Sequence, residues 1–565
     1  MEGKILRQML SRPGAAADER NRMYLLPGRI VWQQGRIDGA DTLMTDRPGQ
    51  IALDEQQVCT LVRESESPAL VLDFGREIHG GLEISVFSVE GYSGKADLRI
   101  RFGESLMEAM SELGGPTNAT NDHARRDITM TVQGLSRNPV GETGFRFVRI
   151  DLLTPGVTLR LKTVKAVLIY RDIPYLGSFR CSDPELDRIW DTCAYTVHLC
   201  MQHYIWDGIK RDRLVWIGDL HPEIMAIQSV FGDHPLIRES LDFAVAQTPP
   251  NAWMNGIPAY SMWWIIIQHD YFLHSGDREY LQHQLPYLKA VCEMLSQYIG
   301  PDGEDTTPEM RFVDWPSREH EAAVNGGLQS LRVLATRGAI AIFEFFGEDQ
   351  WADRCREDLN RLTRRPHHLT GVKQCDALAV WAGLADPDQA NMESLRSGGA
   401  AGLSTFMGGY ILQARAMAGD VSGALEALKE YWGGMLKLGA TTFWEDFDIR
   451  WLENGAPIDR FPAPGEVDVH GSYGRYCYVG YRHSLCHGWS SGAAAWLTRN
   501  ILGVEVLEPG CRRLRIRPNL CGLSWVEGSY PTPLGVVQIR HSRCEDGSVE
   551  THVQAPEAIT WELAV

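Results

Sequence analysis

The period of the hydrophobic pattern changes twice along the chain. Between about residues 71 and 170 apolar and polar side chains alternate, as in Ala96–Phe102, which predicts half-buried strands. From the capping-box spacing at Ser182–Glu185 onward, apolar residues recur every three or four positions, which predicts amphipathic helices. Alternation returns after Val504. The predicted order is therefore strands, a long helical region, and strands again.

These changes divide the chain into four predicted parts. We expect residues 1–21 to form a flexible N-terminal arm, 22–172 an N-terminal β-sandwich, 173–500 a helical domain and 501–565 a small C-terminal β-sandwich. The helical region has no repeat of fixed length, which favours a closed α/α toroid over an open solenoid. The predicted fold class is multidomain, with separate α and β domains.

Composition narrows the range of partners and of locations. Of the 565 residues, 55 are Lys or Arg and 73 are Asp or Glu, so the net charge is −18, which argues against a nucleic-acid partner. The longest apolar stretch, Met262–Ile267, is too short to cross a membrane, and the N-terminus has no apolar signal region. The 12 cysteines form no CxxC pair, which favours reduced thiols and a cytoplasmic location. A homo-oligomer is compatible with this composition.

Two polar clusters in the helical region carry the candidate chemistry. Trp206–Asp219 contains three carboxylates, three basic residues and two tryptophans, and Gly439–Asp448 places Glu445 directly after Trp444. A surface loop rich in salt bridges would account for the first cluster equally well. Aromatic faces and carboxylates are also what a sugar site uses. Two such clusters in one helical domain favour glycoside hydrolysis by a pair of carboxylates.

No metal or cofactor is expected. The chain lacks the nucleophile elbow, the phosphate-binding loop, the dinucleotide fingerprint and the HExxH zinc motif. His483 and His487 are four residues apart, as ligands on one helical face would be, but no third ligand accompanies them.

Three segments resemble those of one enzyme family. Asp207–Asp219 is similar to the segment Asp-Cys-Pro-x-Arg-Asp-Glu-Arg-Leu-Gly-Trp-x-Gly-Asp, Gly439–Glu445 matches Gly-Ala-Thr-Thr-x-Trp-Glu, and Ser484–Leu497 resembles a Ser-Phe-Asn-His…Trp-Leu helix. The segments that they resemble are those of the bacterial α-L-rhamnosidases of the glycoside hydrolase family seventy-eight type. The resemblance implies a central (α/α)6 barrel as catalytic domain, flanked by the two β-sandwiches.

The resemblance also implies roles for individual residues. Glu445 takes the place of the general base, and Asp212, counted back from Trp216, falls where the family has its general-acid Glu. Asp207 fits the first aspartate of the segment if one residue is deleted between it and Trp216. The remaining matched or neighbouring positions are expected to bind the sugar: Asp207, Arg211, Trp216, Asp219, Asp314, Trp315, Trp444 and His487. An Asp is one methylene shorter than Glu, so the substitution bears on both efficiency and substrate identity.

The sequence thus predicts an inverting exo-glycosidase. It would release terminal α-L-rhamnose, or a related L- or deoxy sugar, from a small oligosaccharide or glycoside, with Asp212 as acid and Glu445 as base. Two alternatives stay open: a catalytically weak sugar-binding protein on the same scaffold, and a lyase that acts on a uronic-acid linkage.

Overall fold

The structure is a computed structural model that describes residues 18–91, 93–308 and 310–564. The predicted arm, residues 1–21, lies for the most part outside these residues. Its last two residues, however, belong to the first strand, which pairs Arg20 with Arg171. The N-terminal sheet therefore begins earlier than predicted, because this strand is largely exposed and shows no alternation that the sequence could reveal.

Among the described residues, nine strands form the N-terminal sheet. They are β1 (Arg20–Leu25), β2 (Arg29–Gln34), β3 (Arg36–Asp38), β4 (Cys59–Val62), β5 (Ala69–Glu90), β6 (Lys95–Gly103), β7 (Asp127–Gln133), β8 (Ser136–Leu152) and β9 (Thr158–Arg171). The order is β3-β4-β9-β5-β8-β6-β7, with β1 on β9 and β2 on β5, and all pairs are antiparallel. A short helix, α1 (Leu106–Met110), follows β6.

The predicted alternation in β6 is confirmed. Leu98, Ile100 and Phe102 are fully buried in the core of the N-terminal sheet. Arg101, on the other face, is also buried, and its guanidinium pairs with Asp151 at 3.0 Å, which compensates for its lost hydration. The sheet is therefore covered on both faces near the end of β6.

The helical region follows strand β10 (Ser178–Cys181). Its helices are α2 (Pro184–Cys200), α3 (Ile217–Val230), α4 (Pro235–Gln247), α5 (Pro258–Ser275), α6 (Arg278–Ser296), α7 (Glu321–Phe346), α8 (Asp349–Leu362), α9 (Lys373–Trp381), α10 (Pro387–Ala390), α11 (Gly408–Met417), α12 (Val421–Lys437), α13 (Val469–Ser472) and α14 (Gly492–Asn500). The short strands β11 (Gly455–Ala456) and β12 (Val467–Asp468) pair before α13. Helix α2 is capped by Asp183, whose carboxylate accepts from the Glu185 N–H, and not by Ser182 as the capping-box spacing suggests.

Six of these helices contact one another in a closed series. Helices α3, α5, α7, α9, α11 and α14 each pack against the next, and α14 packs back against α3. Helices α2, α6, α8 and α12 pack against members of this series. Helix α5 is buried over nearly its whole length, including Trp263 and Trp264, as expected of a helix surrounded by neighbours. The loops that join these helices carry the polar clusters.

Two small sheets close the C-terminal end. One has the order β10-β15-β16-β17, with β15 (Trp525–Thr532), β16 (Gly535–Arg543) and β17 (Val549–Gln554), and the other joins β13 (Val504–Val506), β14 (Arg513–Ile516) and β18 (Thr560–Leu563). Strand β10 precedes the helical region, so the C-terminal β domain is not confined to residues 501–565. Where β10 pairs with β15, Gly528 lies so close to Ser178 that an added Cβ would approach the Ser178 carbonyl oxygen to 2.2 Å.

Among the described helices, none combines the length and the apolar character that a membrane crossing requires.

Candidate active site

The first polar cluster is a buried loop that precedes helix α3. The loop closes on itself where the Leu214 N–H donates to the Asp207 carboxylate at 2.9 Å. Asp212 and Arg213 both adopt positive φ angles, 51° and 53°, a conformation that L-residues with side chains rarely adopt, and one that breaks helical geometry. The helix therefore starts only at Ile217, with Trp216 as its N-cap residue. The alternative of a solvated surface loop is wrong for most of this segment, because Asp207–Arg211 is buried.

The second cluster is the loop that presents Glu445. Helix α12 ends near Gly439, whose φ of 88° turns the chain out of the helix. The Thr441 hydroxyl oxygen accepts from the Glu77 N–H at 2.9 Å, and the Thr442 hydroxyl donates to the Leu485 carbonyl at 2.7 Å. These contacts tie the loop to the N-terminal sheet on one side and to the segment before α14 on the other.

The Glu445 carboxylate is held at both oxygens. Oε2 accepts from the Ser484 N–H at 3.0 Å, and Oε1 accepts from Nη2 of Arg211. Nη1 of the same guanidinium lies 3.0 Å from Oδ1 of Asp212. One arginine thus joins the predicted base to the predicted acid. The two carboxylates differ in exposure, since 4 % of the Glu445 side chain and 18 % of the Asp212 side chain is accessible.

His487 lies among three carboxylates. Its Nε2 is 3.6 Å from Oε1 of Glu445 and 3.7 Å from Oδ2 of Asp207, and its Nδ1 is 3.9 Å from Oδ1 of Asp219. These separations are longer than direct hydrogen bonds. The Tyr260 hydroxyl donates to Asp219 at 3.4 Å. The structure therefore brings five predicted residues together, namely Asp207, Arg211, Asp219, Glu445 and His487, with Asp212 at their edge.

Burial dominates the electrostatics of this cluster. It raises the pKa of Asp207 well above the ordinary value, and the negative charge of Asp219 adds to the effect. Burial also raises the pKa of Asp219, reinforced by the charge of Glu445. The pKa of His487 is well below its ordinary value, because burial and the nearby Arg211 cation oppose its protonation. Burial thus favours the neutral form of each of these three side chains.

The predicted aromatic residues lie in different environments. Trp216 is partly buried and contacts Tyr260 edge-to-face at 6.1 Å between ring centroids, beside the cluster. Trp444 is 1 % exposed and packs against Phe447 and His483, so in this structure it supports the Glu445 loop from within.

Among the described residues, Asp314 and Trp315 form no hydrogen bond or ion pair with the carboxylate cluster. Asp314 accepts from the Ser317 N–H at 3.0 Å and from the Ser404 hydroxyl at 3.0 Å, and burial raises the pKa of its carboxyl. The Trp315 ring stacks on Tyr476 with 5.8 Å between centroids and 25° between planes. Thr405, next to Ser404, donates to the Glu445 carbonyl, so Asp314 is connected to the Glu445 loop through that backbone.

A cavity of about 990 Å³ reaches Asp446, the residue after Glu445. Tyr476, Trp451 and Asp446 are among the residues that line it. Asp446 was not predicted: its N–H donates to Nε2 of His483 at 2.9 Å, and burial together with the charge of Glu445 raises the pKa of its carboxyl to about 7. Glu223, one turn after Asp219 on α3, is a second unpredicted carboxyl with a raised pKa, again chiefly because of burial. Glu223 lies four residues after Asp219, so helical spacing indicates that it shares the face of Asp219. For Asp446 the sequence offers only its position next to Glu445.

One group of side chains has the geometry of a metal site. Ligand atoms of Glu104, Glu108 and His470 lie within 4.8 Å of one another and are buried. Nζ of Lys210 is 2.9 Å from Glu104 and 3.4 Å from Glu108, so an ammonium ion already lies between these carboxylates. His483 and His487 lie in the segment before α14 and not on a shared helical face.

Comparison with known proteins gives two family matches. The model of the bacterial alpha-L-rhamnosidase 6 hairpin glycosidase domain matches residues 174–334, and that of the bacterial alpha-L-rhamnosidase C-terminal domain matches residues 503–565. An alpha-L-rhamnosidase of Alteromonas sp. (strain LOR) is 23% identical over 556 residues, which cover 89% of this chain and 56% of that protein. The chain thus spans little more than half the length of this curated relative.

Solved structures share the fold. A rhamnosidase of the GH78 family from Bacillus sp. GL1 aligns with a TM-score of 0.74 and 21% identity, covering 93% of this chain and 55% of that one. A rhamnosidase from Klebsiella oxytoca with rhamnose bound aligns with a TM-score of 0.68 and 20% identity, covering 85% of this chain and 96% of that one. Together with the two domain matches and the Alteromonas relative, this shared fold confirms the resemblance of the chain to the bacterial α-L-rhamnosidases.

Proposed function

We propose that this chain is an exo-acting glycoside hydrolase that releases a terminal α-L-rhamnosyl unit, or a related L- or deoxy sugar, from a small glycoside or oligosaccharide. The observation that carries the proposal is the guanidinium of Arg211, which contacts Glu445 through one terminal nitrogen and Asp212 through the other. It places two carboxyl groups side by side within a cluster of buried carboxyls. The domain matches and the rhamnose-bound relative support the choice of sugar.

The proposed mechanism is inverting. The Arg211 guanidinium contacts both carboxyl groups, and an inverting pair needs a separation of about 6.5–9.5 Å, against about 5–5.5 Å for a retaining pair. Glu445 takes a proton from water while Asp212 donates one to the glycosidic oxygen. Asp212 is the proposed acid because it is the more exposed of the two and thus the nearer to an incoming aglycone.

Asp207 and Asp219 complete the proposed sugar pocket. Their raised pKa values allow them to donate as well as accept hydrogen bonds to hydroxyl groups. Tyr260 and Trp216 lie beside Asp219 and offer ring faces or edges to the sugar. The cavity next to Asp446 provides room for the aglycone.

The finer architecture and the location are also proposals. The closed series of six helices supports an (α/α)6 barrel, with the sheets at either end as β-sandwiches. Free thiols at all 12 cysteines support a cytoplasmic location.

A sugar-binding protein with little turnover is the second candidate. The specific observation in its favour is that Oδ1 of Asp212 lies near both Arg211 and Nδ1 of His123, at 3.0 and 2.9 Å. These contacts engage the same carboxyl oxygen of the group that would deliver the proton. Calorimetry with L-rhamnose alongside a turnover assay separates the candidates, because binding without turnover identifies the second. A lyase would instead form an unsaturated product that absorbs ultraviolet light.

The proposed function is tested with 4-nitrophenyl α-L-rhamnoside. Proton NMR during early turnover should show β-rhamnose first, and Glu445→Gln should lower kcat/KM by roughly 10²–10⁴-fold. Glu430→Gln, an exposed change on α12, is the matched control and should leave the rate unchanged. First appearance of the α-anomer would mean retention and would refute Glu445 as a base.

A further inference from the structure

A buried ionic network joins the N-terminal sheet to the candidate active site. Nζ of Lys210 lies 2.9 Å from Glu104, 3.4 Å from Glu108 and 3.5 Å from Nε2 of His470. Glu104 follows strand β6, Glu108 lies on α1, and Lys210 immediately precedes Arg211 in the loop before α3. All four side chains are buried. The network therefore connects two domains at a point one residue away from the arginine that holds Glu445.

Lys210 and Arg211 together hold three successive carbonyl groups. Nζ of Lys210 donates to the carbonyls of Tyr481 and His483 at 2.8 and 2.5 Å. Nε of Arg211 donates to the carbonyl of Arg482, between them, at 2.6 Å. Two adjacent cations thus determine the course of the segment that leads to Ser484.

Glu104 holds the next part of the same segment. Its carboxylate accepts from the Leu485 N–H at 2.6 Å and from the Ser484 hydroxyl at 3.3 Å. The Ser484 N–H donates to Oε2 of Glu445, and the Ser484 carbonyl accepts from the Glu445 N–H at 2.9 Å. Glu104 is therefore connected to the Glu445 carboxylate through a single residue.

A buried ion group of this kind is weak evidence for a stabilising role. Two carboxylates and one ammonium lose their hydration here, and the mutual attraction of such buried charges roughly offsets that loss. Burial raises the pKa of Glu104 to about 7, with Glu108 adding to the effect and Lys210 opposing it. Burial likewise raises the pKa of Glu77, which faces Glu104 and Glu108. The geometry of the segment at 481–485 is the clearer consequence of the network.

We propose that Glu104 and Lys210 are positioning residues for Glu445, so that the N-terminal domain completes the catalytic site of the helical domain. Glu104 orients the Ser484 N–H toward Oε2, and Lys210 fixes the loop from which Arg211 reaches Oε1. This inference rests on the proposed function, in which Glu445 is the base.

Kinetics of Glu104→Gln provide the first test. We expect kcat on 4-nitrophenyl α-L-rhamnoside to fall roughly tenfold to a hundredfold, the size of effect that a misplacement of about 1 Å can produce, with KM within about twofold. The loss should be equal for good and poor leaving groups, because water attack is needed with both. The acidic limb of the kcat/KM profile should move to higher pH, since a carboxylate with a weakened donor is easier to protonate.

Asp151→Asn is the matched control. Asp151 is a buried carboxylate of the same sheet, and its side chain pairs with Arg101 and Arg149 at 3.0 and 2.7 Å and not with the segment at 481–485. It should lower the melting temperature without moving the pH profile. Equal kinetic losses in Glu104→Gln and Asp151→Asn, or an unmoved acidic limb in Glu104→Gln, would overturn the proposal. Ser484→Ala, which removes the hydroxyl contacts to Glu104 and to the Cys486 main chain but keeps the Ser484 N–H, should reproduce the loss on a smaller scale. This variant is the test if Glu104→Gln does not fold.

Hydrogen exchange measured by mass spectrometry gives a test without turnover. Glu104→Gln should speed amide exchange in the peptide that covers residues 481–487, and Asp151→Asn should not. If the wild-type protein hydrolyses no glycoside, the proposed function fails, yet this measurement still decides the positioning role. Unchanged exchange in Glu104→Gln would overturn it.

Discussion

Nδ1 of His123 lies 2.9 Å from the backbone nitrogen of Asp212 and 2.9 Å from its Oδ1. His123 belongs to the connection between β6 and β7, and its own carbonyl accepts from Nη2 of Arg213 at 2.6 Å. Asp212 and Arg213 are the two residues with positive φ in this loop. The N-terminal domain therefore holds the proposed acid in a backbone conformation that it would rarely adopt alone.

We expect His123→Ala to impair proton donation. Without the imidazole, the loop relaxes and Asp212 is no longer held in place. Activity on poor leaving groups should fall roughly tenfold, while dinitrophenyl glycosides should be affected less than twofold, since that leaving group needs no proton. Rates for the two substrates measured in parallel check this. His283→Ala, an exposed histidine on α6, is the control, and identical losses on both substrates would contradict the prediction.

Leaving-group dependence also identifies the acid itself. Asp212→Asn should lower kcat/KM on alkyl glycosides by roughly 10²–10⁴-fold and spare the dinitrophenyl substrate, whereas Glu445→Gln should lower kcat/KM by a factor in this range on both substrates. If Asp212→Asn lowers both rates equally, the acid lies elsewhere. Asp207→Asn and Asp446→Asn are then the next variants, because burial raises the pKa of both carboxyls.

Stability should vary with pH through Asp219. Its raised pKa means that the folded state keeps a proton which the unfolded chain gives up above its ordinary pKa of about 3.9. The free energy of unfolding therefore decreases as pH rises from about 4 through the raised value. Asp219→Asn removes this dependence and should raise the melting temperature at pH 7 by roughly one to a few degrees, with little change at pH 4.

Calorimetric scans at pH 4, 5.5 and 7 check the result. Asp151→Asn is the control of opposite sign, because it breaks contacts with two arginines and should lower the melting temperature. A melting temperature at pH 7 that falls in Asp219→Asn would show that the Asp219 carboxyl is stabilising.

Chelators should leave activity unchanged. The ammonium of Lys210 lies where a cation would bind between Glu104 and Glu108. Turnover after dialysis against EDTA is the measurement. Loss of activity that one divalent ion restores would mean that a metal site has been missed.

The Glu445 loop is the part of the site that sequence reasoning predicts best. Gly439 has a local reason, since it takes a positive φ where helix α12 ends, and the match of Gly439–Glu445 to the family segment indicates the rest. The partners of Thr441 and Thr442, which are main-chain groups of Glu77 and Leu485, lie far away in the sequence and are seen only in the structure. The change from strand to helical periodicity near Ser182 is equally local, and it predicts the start of α2 to within about two residues.

What the sequence does not reveal depends on distant neighbours. Glu104 follows strand β6, and the local pattern does not indicate that Lys210 and Leu485 of the helical domain contact it. Strand β10 directly precedes α2 in the sequence, which suggests that it belongs to the helical region. Only its pairing with β15 shows that it belongs to the C-terminal sheet. The conformation of Asp212 has the same origin, since His123 stabilises it from almost ninety positions earlier in the chain.

The closed series of helices has a consequence for synthesis of the protein. Helix α3 packs against α14, whose residues leave the ribosome last among the helices of the series. At about 5–20 residues per second, the apolar face of α3 waits on the order of 15–55 s for that partner. Strand β10 waits even longer for β15. The helical domain therefore cannot complete its core until α14 has been translated, and the apolar face of α3 stays unpaired in the nascent chain until then.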